Sequence, residues 1–233
     1  APLLLIGSVG LLVKSHQLSA TPVLISGLAI FFYGLAIAPR RSMIGGIWLG
    51  IGISIILLGT ATQNVAIPLL TIVLMSLVNF RYRGLRFIFS LAIAGLILIA
   101  SAGIWLTILH QSDATFPARW IANAWSGSTD SFRVPTINDI IYPASVFPWF
   151  TWPTWIFLIW SLWVEGREGL KRKELQLPIV LWITITLVLA FTNINKESGL
   201  APILLPFALI GSIAAGRIPR SFGNALYWFS IMV

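Results

Sequence analysis

Charge is the scarcest thing in this sequence. Asp, Glu, Lys and Arg together make up 9% of its 233 residues, against about 25% in ordinary soluble domains. A water-soluble fold of this length needs polar side chains to cover its surface, and too few are present. Cysteine is absent, which excludes disulfides, thiolate metal sites and a cysteine nucleophile. No metal-ligand spacing, phosphate-cradling Gly loop or Ser/His/Asp constellation appears. The net charge of +8 does not indicate a nucleic-acid partner. Such a partner calls for basic residues gathered on one patch or helix, and here they sit in short clusters between apolar runs.

What the chain does have is apolar length. Its hydrophobic fraction is 58%, above the roughly 45–50% of soluble domains. In lipid the backbone must satisfy its own hydrogen bonds, by helices or by a closed barrel. Barrel strands read as alternating segments of about ten residues, whereas these runs are long and unbroken. The expectation is an all-α, polytopic transmembrane helical bundle. A helix crossing about 30 Å of hydrocarbon needs roughly 20 apolar residues. The expected spans are about 22–38, 43–61, 64–79, 86–109, 145–164, 177–193 and 200–215, seven in all. Partial runs at about 2–13 and 222–233 flank them, so residues 1–233 read as one transmembrane domain truncated at both ends.

The basic residues then divide into two sets that alternate along the spans. One holds Arg40, Arg41, Arg81, Arg83, Arg86, Arg167, Lys171, Arg172, Lys173, Arg217 and Arg220. The other holds only Lys14, Arg119, Arg133 and Lys196. By the positive-inside rule the richer set is cytoplasmic. That orientation implies an integral, multi-pass membrane protein with 110–144 and 193–199 on the external face.

The 110–144 connection is the longest, and it carries Asp113, Asp130 and Asp139. Phe116, Trp120, Ile121, Ala124 and Trp125 are spaced for a short amphipathic helix lying along the membrane surface. Thr136 and Asp139 read as a helix start, so the carboxylate is as well explained by capping as by chemistry. Phe147 to Trp155, with Pro148 and Pro153 among its aromatics, reads as an interfacial aromatic anchor at a helix entrance.

Three residues stand out as candidates for chemistry, Lys196, Glu197 and His16. Lys196 and Glu197 lie in a short connection on the base-poor side. An ammonium there could hold the phosphate of a lipid carrier, and a local ion pair on a solvated turn explains it equally well. His16 and His110 sit in or beside external connections, where an imidazole commonly serves as an ordinary polar partner. No metal site is expected, and no cofactor beyond a lipid-linked donor substrate.

The run Lys196-Glu197-Ser198-Gly199-Leu200-Ala201-Pro202, continuing to Leu209, resembles a segment of bacterial polyprenyl-phosphate-sugar glycosyltransferases. These are the protein O-mannosyltransferase and lipid A aminoarabinose-transferase relatives of the GT-C superfamily. The Pro148-Trp149 entrance is similar to theirs. So is Ser15-His16-Gln17-Leu18 through Pro22, followed by the Gly-rich stretch Gly45 to Gly59. The pattern departs near Thr21, which lacks the family's Asp, and at Gly59-Thr60-Ala61, which lacks its Lys-Gly.

The resemblance implies a glycosyltransferase that moves a sugar from a polyprenyl-phosphate donor to an acceptor on the external face of a plasma (bacterial inner) membrane. Membrane lipids and the lipid-linked donor would be its partners. Lys196, Glu197 and His16 would bind lipid phosphate or substrate, and the catalytic carboxylate would lie upstream of Ala1. A transporter or flippase for lipid-linked or small polar substrates is the alternative. It calls for charged groups and broken helices at mid-membrane, and the middles of these spans are nearly free of charge.

Overall fold

The computed structural model describes residues 1–11, 20–131, 145–169, 173–192, 199–217 and 224. Regular structure among them is helical. After the short α1 (Pro2–Ile6), the chain forms α2 (Thr21–Ile37) and α3 (Ser42–Gly59). Next come α4 (Ala66–Val78, entered through a 3-10 turn at Thr62–Val65), α5 (Leu85–Ser112) and α6 (Phe116–Ser131). The remainder is α7 (Thr154–Gly169), α8 (Lys173–Phe191) and α9 (Leu204–Ile213, entered through a 3-10 turn at Ala201–Ile203).

The expected spans therefore coincide with helices, with one interruption. Residues 145–150 are helical, Thr151 to Pro153 form a turn, and α7 begins only at Thr154. Proline at 153 cannot donate to a continuing helix, so the run breaks there. The aromatic anchor at this entrance divides accordingly. Trp149 is 65% exposed and Phe150 is buried, while Phe147 packs edge-on against Phe207 at 5.5 Å. The opening run is helical over Pro2–Ile6, breaks at Gly7 and Ser8, and is helical again over residues 9–11, and the closing run 222–233 lies outside the described residues apart from 224.

Among the described residues, two helices are long and apolar enough to cross a membrane. They are α3, with 18 residues and a mean hydropathy of 2.0, and α5, with 28 residues and 2.5. Only 17% of the most apolar stretch of α5 is buried. Leu96, Ile99, Ile104 and Ile108 all project away from the protein. The apolar helices Thr21–Ile37, Thr62–Val78, Leu175–Phe191 and Ala201–Ile213 are shorter.

Glycine fixes how α3 meets its neighbours. On one side Gly45 and Gly52 let the backbone of α2 approach directly, at Ala38 and Phe31. On another, Gly46 and Gly50 admit α5 at Ser90 and Ala94, and Ser101 Oγ donates to Ser54 Oγ at 2.8 Å one turn further on. Small residues at four-residue spacing, followed by an interhelical hydroxyl bond, are how helices associate where water gives no apolar drive. These contacts make α2 antiparallel and α5 parallel to α3.

The second half is organised around α9. It is apolar on all sides, as a helix surrounded by protein must be, and Leu204, Phe207, Ala208 and Ile210 are at most 1% exposed. Pro202 sits in its first turn, where amides have no intrahelical acceptor. Ser161 Oγ of α7 donates to Gly211 O at 3.1 Å and accepts from Ala214 N at 3.2 Å. This single hydroxyl satisfies the backbone where α9 ends. The core cluster around α9 draws in Leu24, Leu28, Ile67, Leu181 and Ile185, which ties the two halves together.

Candidate functional site

The helices present two differently furnished ends. Arg40 and Arg81 line one cavity together, so the turns after α2 and α4 lie at the same end. The opposite end holds the start of α2, the start of α4, the last turns of α8 and the start of α9. Between them is a cavity of about 210 Å³, lined by Ala20, Thr21, Asn64, Leu189, Gly199 and Pro202 among others. Its walls are apolar apart from a few groups that sequence reading passed over.

Those groups are uncharged and short. Thr21 is 5% exposed and Asn64 is 9% exposed. Asn64 Nδ2 donates to Thr60 Oγ1 at 3.3 Å, and Thr60 in turn donates to Ile56 O at 2.6 Å. The pair caps the C-terminal carbonyls of α3 while turning an amide toward the cavity. The signal for it is the polar break Thr60-Ala61-Thr62-Gln63-Asn64 where the expected spans 43–61 and 64–79 meet.

Lys196, Glu197 and His16 lie outside the described residues, as do Lys14, Arg133, Thr136 and Asp139. Their neighbours in sequence do not. Gly199 follows Glu197 by two positions, Ala20 follows His16 by four, and both line the 210 Å³ cavity. The segments carrying the three candidates thus rejoin the described fold at one cavity mouth.

The 110–144 connection is described as far as Ser131. His110 is exposed, with Nδ1 3.2 Å from Ala114 O, so it holds a turn. Asp113 accepts from Thr115 N at 2.9 Å and from Thr115 Oγ1 at 2.7 Å, and it pairs with Arg119. The Thr115 hydrogen bonds, helped by the Arg119 charge, hold its carboxyl below the usual range. Asp113 therefore anchors α6, which runs longer than the short helix expected. Trp105 of α5 receives Trp120 and Phe116 edge-on at 5.1 and 6.2 Å, so these aromatics of α6 fold back onto α5.

Among the described residues no group of three or more His, Asp or Glu could hold a metal ion. No protein-family model matches the chain, and neither any curated protein nor any solved structure does so.

Proposed function

We propose that this chain belongs to a multi-spanning membrane glycosyltransferase, and that its base-poor end holds the phosphate and first isoprenyl units of a polyprenyl-phosphate-linked sugar. One observation carries the reading. Ala20 and Gly199, four positions after His16 and two after Glu197, line the same apolar cavity. An isoprenyl chain needs an apolar groove, and a phosphodiester needs a cation at its mouth.

The membrane part has its own support. A 28-residue helix with its apolar stretch 17% buried is about 42 Å long at 1.5 Å per residue, which exceeds the hydrocarbon thickness. Its outward Leu and Ile side chains form an apolar face larger than a soluble monomer tolerates. The alternation of basic connections orients the bundle with the arginine-bearing turns in the cytoplasm. The 210 Å³ cavity then opens on the external side of a plasma membrane, where a lipid-linked sugar would be used.

In the proposed reaction an acceptor hydroxyl attacks the anomeric carbon. The bond from that carbon to the phosphate oxygen breaks, and polyprenyl phosphate departs with the electron pair. The hydroxyl proton passes to a carboxylate acting as general base. Lys196 stabilises the charge growing on the leaving phosphate, an interaction that strengthens toward the transition state.

Two measurements test this. Membranes carrying the protein should transfer label from a radiolabelled polyprenyl-phosphate sugar, and Lys196→Ala should lower turnover at least roughly 100-fold. A photoreactive polyprenyl phosphate should label the peptides around Asn64 and Pro202. Equal turnover in Lys196→Ala removes that residue from the mechanism, and labelling confined to other helices removes the cavity.

A further inference from the structure

The opposite end of the molecule carries three arginines whose side chains have no partner among the described residues. The turn after α2 and the turn before α5 enclose a cavity of about 450 Å³ lined by Pro39, Arg40, Arg81, Gly84, Leu85 and Arg86. The three guanidinium groups are on exposed residues, and they form no hydrogen bond or ion pair among the described residues. Among the described residues no acidic side chain lines the cavity. Glu165, near the end of α7, is paired with Arg217 at 3.1 Å.

The neighbouring Arg83 shows the contrast. Its Nε donates to Ser76 O at 2.6 Å and its Nη2 to Leu77 O at 2.8 Å. That side chain is committed to the C-terminal carbonyls of α4. The other three are held near one another by a rigid turn. Tyr82 is 7% exposed, donates to Leu35 O at 3.3 Å, and stacks edge-on with Phe87 at 5.0 Å. Asn79 Oδ1 accepts from Arg81 N at 3.1 Å. Like charges kept together this way repel unless an anion joins them. The start of α5 adds to the pull, since its N-cap is Gly84 and no acidic residue occupies its first turn.

A second cavity, about 410 Å³, shares Pro39, Arg40 and Arg81 with the first. It runs between α2, α4, α8 and α9 and is lined there by Phe32, Met75, Leu177, Pro178, Leu209 and Ile213. A free phosphate would use only the arginines. The joined pair of cavities fits an anion with a hydrocarbon tail.

We propose that this end binds an anionic phospholipid, with its phosphate at Arg40, Arg81 and Arg86 and one acyl chain in the adjoining apolar cavity. The site rests on the membrane reading above and not on sugar transfer. Native mass spectrometry of the detergent-purified chain tests it, with phosphatidylglycerol, phosphatidylcholine and inorganic phosphate as probes. Phosphatidylglycerol should be retained well over phosphatidylcholine. The triple variant R40Q/R81Q/R86Q should lose that preference, on the order of 100-fold in affinity, while Arg217→Gln keeps it. These arginines are exposed, so the triple variant should melt with the wild type, and its helicity checks that it has folded.

Equal retention of the two lipids overturns the proposal, as does a folded triple variant that binds like the wild type. Saturation by inorganic phosphate as tight as by phosphatidylglycerol would assign the arginines to a soluble phosphate and overturn the lipid occupant. Transfer activity is not read in this experiment, so either site can fail without the other.

Discussion

Thr71 of α4 and Thr184 of α8 bring their hydroxyl oxygens to 2.9 Å across 113 positions of sequence. Both side chains are fully buried. Thr71 Oγ1 also lies 2.7 Å from Ile67 O, and Thr184 Oγ1 lies 2.8 Å from Leu181 O. Two hydroxyl protons serve three contacts, so one threonine bridges the helices while the other bonds its own backbone.

Replacing Thr184 by Val keeps the shape and removes the bridge. The expected loss is about 0.5–1 kcal/mol, the usual net worth of such a bond in a helical membrane core. Thr71→Val/Thr184→Val should cost less than the sum of the single changes, because no hydroxyl is then left without its partner. A double-mutant cycle on unfolding in detergent measures this, and strict additivity would refute the bridge.

The glycines of α3 predict a sharp contrast between positions. A Cβ at Gly45 would sit 2.4 Å from Ala38 Cα, and one at Gly52 would sit 2.5 Å from Phe31 N. Backbone cannot step aside, so Gly45→Ala and Gly52→Ala should each lower stability by about 1–3 kcal/mol. Nothing lies within 4 Å of a Cβ at Gly95 or Gly103 of α5. Alanine there should be neutral or add up to about 1 kcal/mol through helix propensity. Midpoints of thermal unfolding for the four variants separate the two classes.

Tyr82 gives the fold an alkaline limit. Burial pushes its phenol up to about 12, against the small opposing pull of Arg81. A phenol whose ionisation is raised on folding contributes stability that is whole below its unfolded value of about 10. That contribution declines as pH rises toward the folded value. Stability should therefore fall between about pH 10 and 12 in the wild type, and Tyr82→Phe should flatten that slope. Tyrosinate absorbance should show one residue titrating late.

Asp113 works in the opposite direction. Its carboxyl is held low by Thr115 and Arg119, so what it contributes is present above the ordinary carboxylate range. That contribution is lost as pH falls through its folded value. Because the group is exposed, the effect should be local. Asp113→Ala should speed amide exchange within Phe116–Ser131 at neutral pH and leave the global melting point unchanged. In the wild type, acidification should lower the protection of the same amides relative to their intrinsic exchange rates.

Helix positions were readable because an apolar run has a length. The span expected at 22–38 is Thr21–Ile37 and that at 43–61 is Ser42–Gly59. The break at Thr151 to Pro153 was visible only as two prolines, whose aromatic neighbours read as a belt. Which neighbour each glycine of α3 faces is not a property of the run, because hydropathy carries no information about the far side of a contact. The basic clusters were legible as a topological signal. That Arg40 meets Arg81 and Arg86 while Arg83 is occupied depends on how the 80–83 turn docks on Leu35. As for the proposed transfer site, sequence supplied Lys196, Glu197 and His16, which lie outside the described residues. It overlooked Asn64, whose polarity looks ordinary until its place at the cavity wall is seen.

Gly45 and Gly46 are neighbours in sequence, and successive residues of a helix point about 100° apart. One touches α2 and the other touches α5, so α2 and α5 meet α3 at a corner and not from opposite sides. Rolling α3 toward either partner would drive a side chain into the other's backbone. The three helices are keyed together like the sides of a box, and any breathing of the bundle falls to the helices beyond that corner.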